Sequence, residues 1–234
     1  MSTVDFSQLL PPSLITELSY EAIFTKRKES FISLYDASEQ QAVRELLQRE
    51  SEPVVKLLQE NAYLEMLYQA KCNADARSLL LAYAEKSDLD HLALTEYGLT
   101  RLVVTPADNT AIPPVEAVYE SDERLRERCI LSFDGMNTAG SANAYRYFTL
   151  SADGRVDGIK VRSEPENPYL LDGVITQVDS VNGQASEELV SIVQAALDPD
   201  HVRPICDRPT VKSSLATNYQ IEASLYVGKN AEDA

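Results

Sequence analysis

The sequence predicts an α+β fold, a helical N-terminal region followed by a small α+β domain with an antiparallel-rich sheet. Three observations point there. Apolar residues recur at helical spacing through the first hundred positions; the period turns strand-like from Val156 onward; and a stretch holding three prolines, 105–114, separates helical segments. The 234 residues suffice for a core that stands without metal or disulfide support. The expected organisation is 1–104 as a helical bundle-forming region, 105–120 as a proline-rich linker, 121–154 as a helical segment and 155–234 as the α+β domain.

Ser19 is placed to cap a first helix, with Ile23, Phe24, Phe31, Leu34 and Tyr35 on one side and Lys26, Lys28 and Glu29 on the other. A short second helix begins near Glu39 and carries Val43, Leu46 and Leu47. Pro53 fits the first turn of a third helix, where a missing N–H costs nothing. That helix, 52–86, is the longest, and beyond Pro53 no Pro or Gly interrupts it. It carries Val54, Val55, Leu57, Leu58, Leu64, Met66, Leu67, Tyr68, Leu79, Leu80, Leu81 and Tyr83, on more than one face. Such a helix must be covered on several sides. The two preceding helices cover about one face each. The rest is covered either by another chain or by an ordinary intrachain core.

Ser87 and Asp90 are spaced as a capping box for a short helix ending at Gly98, which suits a left-handed C-terminal position. Residues 105–114, with Asp108, Asn109 and Thr110, form a loop. Ser121 caps the next helix, with Asp122 and Glu123 favouring its dipole and Leu125, Ile130 and Phe133 as its buried stripe, up to Asp134-Gly135. Ser141 opens another helix through Tyr145 and Phe148, stopped by Asp153-Gly154. Val156, Ile159 and Val161 read as a strand, as do Val174, Ile175, Val178 and Val181. Ser186 caps a helix presenting Leu189, Ile192, Val193 and Leu197. Two strand-like runs follow, 210–215 and 219–227; in the second, Tyr219, Ile221, Ala223, Leu225 and Val227 alternate with more polar residues apart from Tyr226.

Charge and composition narrow the function. With 37 acidic against 21 basic residues the net charge is −16, a surface that repels a phosphate backbone. No window is long and apolar enough for a membrane span, and residues 1–12 lack a signal-peptide pattern. Cys72, Cys129 and Cys206, odd in number and far apart, are expected to be reduced, mostly buried thiols in a cytoplasmic setting.

No catalytic, cofactor or metal site emerges. The two histidines, His91 and His201, sit in no metalloprotease motif, and the sequence holds neither a nucleophile elbow nor a phosphate-cradling glycine loop. His201 with Cys206 is half a zinc site without a second pair. The pairs Asp88/Asp90 and Asp198/Asp200 read as helix-end residues rather than catalytic carboxylates. Tyr145-Arg146-Tyr147-Phe148 reads as core packing rather than a base-stacking platform, since Tyr145 and Phe148 share a helical face. Two classes stay open: an assembly protein, or an acidic cytoplasmic enzyme such as a hydrolase with an unrecognised site. Flanking tail genes would favour the first and metabolic genes the second.

Several segments, in order, resemble the baseplate assembly J family of P2-like phages and related contractile tails. They are Glu50-Ser51-Glu52-Pro53-Val54-Val55-Lys56-Leu57-Leu58, Ser87 to Asp90 with Tyr97 to Arg101, Thr105 to Asp108 with Ile112 to Pro114, Glu120-Ser121-Asp122, Ala139-Gly140-Ser141 with Tyr145, Ser151 to Arg155, and Val202-Arg203-Pro204 with Asp207. The resemblance implies a structural wedge subunit of a tail baseplate, assembled in the bacterial host cytoplasm into a ring around the central hub and coupling it to sheath contraction. The partners it implies are a second copy, an elongated I-type wedge protein and a sheath-initiator-like subunit, with neither nucleic acid nor membrane. The N-terminal helices would then join a shared bundle, with Val54, Leu57, Leu58, Leu64 and Tyr68 as contacts and Asn61 setting register. Two features depart from the family pattern. Residues 164–172, with Pro165 and Pro168, replace a glycine-containing strand connection, and the chain stops at Ala234 where members commonly continue, so a shortened C-terminal domain is expected.

Overall fold

The computed structural model describes residues 17–136 and 140–224. The chain divides into two compact units. One comprises the residues up to Arg101 together with Ser121–Ile130, the other Leu102–Glu120 together with the residues from Leu131 onward.

The first unit is helical: α1 (Tyr20–Ile32), α2 (Gln40–Leu46), α3 (Pro53–Ser78), α4 (Lys86–Tyr97) and α5 (Asp122–Leu131), whose last residue falls at the boundary. Ser19 Oγ accepts the Ala22 N–H at 3.3 Å and so caps α1 as the sequence predicts. Ile32, Leu47, Val55 and Leu58 form a buried cluster, with Phe24, Phe31, Val43 and Val54 packed against it. Ion pairs flank it, Arg27 to Glu65 between α1 and α3 and a two-pronged Arg44–Glu29 pair between α2 and α1.

Three expectations need correction here. The third helix ends at Ser78, eight residues before Lys86, because Arg126 takes the carbonyls of Leu81 and Ala84 at 2.7 and 2.6 Å. A helix would have used those carbonyls internally, and turns form over 79–83 instead. Ser87 does not cap α4. The helix begins one residue earlier, and Asp122 Oδ2 of α5 accepts the Lys86 N–H at 2.9 Å, a cap supplied from elsewhere in the unit. Phe133 lies beyond α5 and is exposed, as are Leu34 and Tyr35 beyond α1. Gly98 does hold the left-handed C-terminal position of α4, at φ 66°.

The second unit holds β1 (Val103–Thr105) paired antiparallel with β2 (Val118–Tyr119), then α6 (Ala142–Ala152), β3 (Val156–Ser163), β4 (Leu170–Gln177), α7 (Glu187–Leu197) and β5 (Arg208–Ser213). The three-stranded sheet runs β3-β4-β5, antiparallel between β3 and β4 and parallel between β4 and β5. Ser141 and Ser186 cap α6 and α7 through the N–H groups of Ala144 and Leu189. One sheet face packs on these helices around Tyr145, Leu150, Val156, Ile175, Leu189, Val193, Leu197 and Val211. This is the predicted α+β architecture.

Differences cluster at the strand ends. β4 stops at Gln177, so Val178 and Val181 lie outside it, and the run predicted over 210–215 pairs over Arg208–Ser213. Of the run predicted over 219–227, the part to residue 224 is exposed and unpaired, and the remainder lies outside the described residues. Residues 1–12 and Ala139 lie outside them as well. None of the three cysteines forms a disulfide, but only Cys129 is buried; Cys72 and Cys206 reach the surface, against expectation. Among the described residues no helix is long and apolar enough to cross a membrane.

Candidate interaction surface

The 26-residue α3 presents two apolar faces. Val55 and Leu58 turn into the intrachain cluster, with Val54 packed at its margin. Leu57, Leu64 and Tyr68 point to solvent, 56%, 54% and 69% exposed, and Tyr63 and Leu67 flank them. Val54, Leu57, Asn61, Leu64 and Tyr68 follow one another at intervals of three and four residues, the spacing of a helix-packing seam. Asn61 donates from Nδ2 to the Leu57 carbonyl at 2.9 Å, which leaves a second amide N–H and the side-chain carbonyl as further hydrogen-bonding groups. So the six residues expected at the bundle divide. Val54 and Leu58 serve the chain's own core, Leu57, Leu64 and Tyr68 form an open strip, and Asn61 lies between them in the seam.

Each of the two units is held by a polar clasp of its own. In the first unit Arg101 reaches Asp90 at 2.7 Å through Nε and Asp122 at 2.6 Å through Nη2, joining α4, the segment after it and α5. Burial works against an ionised Asp122, but the Lys86 N–H and the Arg101 guanidinium outweigh it and hold the carboxyl below the ordinary range. Arg128, also buried, donates to the Thr100 carbonyl at 3.1 Å. In the second unit the buried Tyr145 hydroxyl donates to Asp207 Oδ2 at 2.6 Å, and Arg203 donates to the Asp207 carbonyl at 3.0 Å. Burial first, and then Asp207, pushes the Tyr145 hydroxyl well above its ordinary pKa, so it stays a donor. Gly140, at φ 74°, lies against this pair; a Cβ there would come within 2.7 Å of Asp207 Oδ2 and 2.8 Å of Pro204 Cγ.

The titratable groups weighed for chemistry take structural places. Asp90 serves the Arg101 clasp; Asp198 and Asp200 lie 3.8 and 3.9 Å from Arg203; His91, His201 and Cys206 are all exposed. Among the described residues no three His, Cys, Asp or Glu side chains gather in a way that could hold a metal ion. Within the 105–114 loop, Asp108 Oδ1 takes the Thr110 hydroxyl and N–H at 2.6 and 2.8 Å, and the Asp108 and Val115 backbones bond to each other. The loop is therefore a tied turn.

A family model for the baseplate J-like N-terminal domain matches residues 50–108. Baseplate protein J of Escherichia phage P2 is 44% identical over 227 residues, covering 97% of this chain and 74% of that protein. The chain belongs to the baseplate J family. Membership gives the coarse role, that of a structural protein of a phage-tail baseplate. The J-like model covers the whole of α3 and α4 and reaches the tied turn. Sequence reasoning did not single out the clasp residues of this J-family chain for the bonds they make. Arg101 and Asp122 are 21 residues apart and Tyr145 and Asp207 are 62, so no local periodicity relates them. The one available signal was that these residues fall inside the segments that carry the family resemblance.

Proposed function

We propose that this chain is a wedge subunit that helps to close the baseplate ring around the central hub and couples it to sheath contraction, acting by assembly and not by catalysis. The observation that carries this reading is the outward strip of α3. Three large apolar side chains at seam spacing stay in water on a helix whose opposite face is already packed. Helices of an elongated wedge partner and of a second copy cover the strip, forming a shared bundle in which Asn61 sets the register.

In this scheme the region 1–104 makes the bundle, 105–120 links, 121–154 supports, and the α+β domain at 155–234 contacts neighbouring copies and a sheath-initiator-like subunit. Triggering repacks one arrangement into another, and the tied turn around Asp108 takes up the displacement. Assembly takes place in the host cytoplasm, and the product resides in the virion tail.

The decisive experiment is co-expression of the Leu57→Asp, Leu64→Asp double variant with the proposed elongated wedge partner. Both side chains are exposed, so the isolated chain keeps its fold while two buried charges appear in the bundle. Copurification should fall at least tenfold. Undiminished copurification of a folded double variant would show that this face is not the seam.

A further inference from the structure

We propose that the segment after β5, residues 215–224, of one copy adds as a fourth strand to the free edge of the three-stranded sheet of a neighbouring copy. This rests on the reading that the α+β domain contacts neighbouring copies, and it names the edge and the segment that meet.

The two edges of the sheet differ. On β5, Gln194 of α7 accepts the Val211 N–H at 2.9 Å and donates to the Pro209 carbonyl at 3.0 Å, occupying the groups another strand would need. That edge is closed. On β3, Lys160 lies opposite Val174 and Arg162 opposite Asp172, and the Glu164 N–H bonds the Leu170 carbonyl at 3.0 Å. The even-numbered residues therefore form the bonded pairs, and the N–H and C=O groups of Ile159, Val161 and Ser163 point away from β4. Among the described residues no strand pairs with β3 on that side.

The segment after β5 supplies the complement. Leu215, Tyr219 and Ile221 are 87%, 83% and 79% exposed, on backbone without regular structure. Tyr219, Ile221 and Ala223 alternate with Gln220 and Glu222, a period of two. Set beside β3, Tyr219 and Ile221 fall on the face of Ile159 and Val161, which pack on the core. Glu222 then falls on the open face, with Lys160 and Arg162. Apolar groups meet apolar groups, and an acid meets two bases on a chain of net charge −16.

A second copy must supply the strand. An antiparallel strand, the better-bonded arrangement, enters beside Ser163 and runs toward Val156. β5 already runs in that direction and delivers its own chain at Ser213, level with Ile175 and hence Ile159, so the chain would have to turn back to reach Ser163. From there to Ser163 beyond the β3 edge is about 19 Å in a straight line through the sheet itself. The chain from Ser213 to Tyr219 spans about 20 Å when fully straight, which leaves nothing for the reversal or for a path around the sheet.

The test uses the full chain carrying Lys160→Cys and Glu222→Cys, with exposed Cys72 and Cys206 changed to Ser, in purified tails oxidised after isolation. Gln220→Cys in place of Glu222→Cys covers the neighbouring register. A non-reducing gel should show species joined between chains. They should be absent from either single-cysteine variant and lost when Ile221→Pro, in an exposed segment, removes a ladder N–H. A disulfide formed only within one chain, or none in either register while a lysine-reactive reagent still joins copies, overturns strand addition and leaves the copy contact standing. If neither reagent joins copies, the contact between α+β domains falls too.

Discussion

At Asp122 the two carboxylate oxygens hold separate elements. Oδ1 takes the Arg101 guanidinium and Oδ2 the Lys86 N–H, so one residue both completes an ion pair and caps α4. Its folded-state pKa is depressed, so the stability it contributes is present above the unfolded value of about 4 and is lost as pH falls through the folded value. Asp122→Asn should therefore lower the melting temperature at neutral pH, and the gap from the parent should close on acidification below about pH 4. A gap that stays constant down to pH 2 would contradict the assignment. Tyr145 and Asp207 form the matching lock in the second unit, and Gly140 sits beside it because no other side chain fits.

At the scale of the element, α3 tests the distinction between its faces. Leu58 is buried in the first unit's cluster and Leu57, the next residue, is largely exposed. Leu58→Ala should destabilise the isolated chain by about 2–5 kcal/mol, the range for truncating a packed leucine. Leu57→Ala should stay within about 0.5 kcal/mol, as surface changes do. Denaturant unfolding of the chain without its partners measures both. Equal losses would mean that α3 is packed on both sides within one chain, and the seam would have no open face to offer.

Across the whole molecule, the charge excess of 37 acidic over 21 basic residues governs what can approach. Duplex DNA should show no mobility shift with the purified chain even at low salt, where a basic surface would bind most tightly. A shift that disappears as salt is added would reveal a basic face that the net charge conceals. The apolar strip on α3 and the free β3 edge are directional features on this repelling surface. They favour association with particular protein partners over general adhesion.

Local chemistry in the sequence determined the helices capped by Ser19, Ser141 and Ser186, the left-handed stop at Gly98, the change to strands at Val156 and the excess of apolar residues on α3. Each depends on neighbours within a few residues, so periodicity and capping patterns carry it. Tertiary structure alone decided where α3 ends, because Arg126 claims carbonyls 45 and 42 residues away. It also decided that Asp122 and not Ser87 caps α4, and which apolar residues of α3 are spent inside the chain. Those outcomes turn on groups distant in sequence competing for one hydrogen bond or one packing site, and spacing along a chain holds no record of that competition.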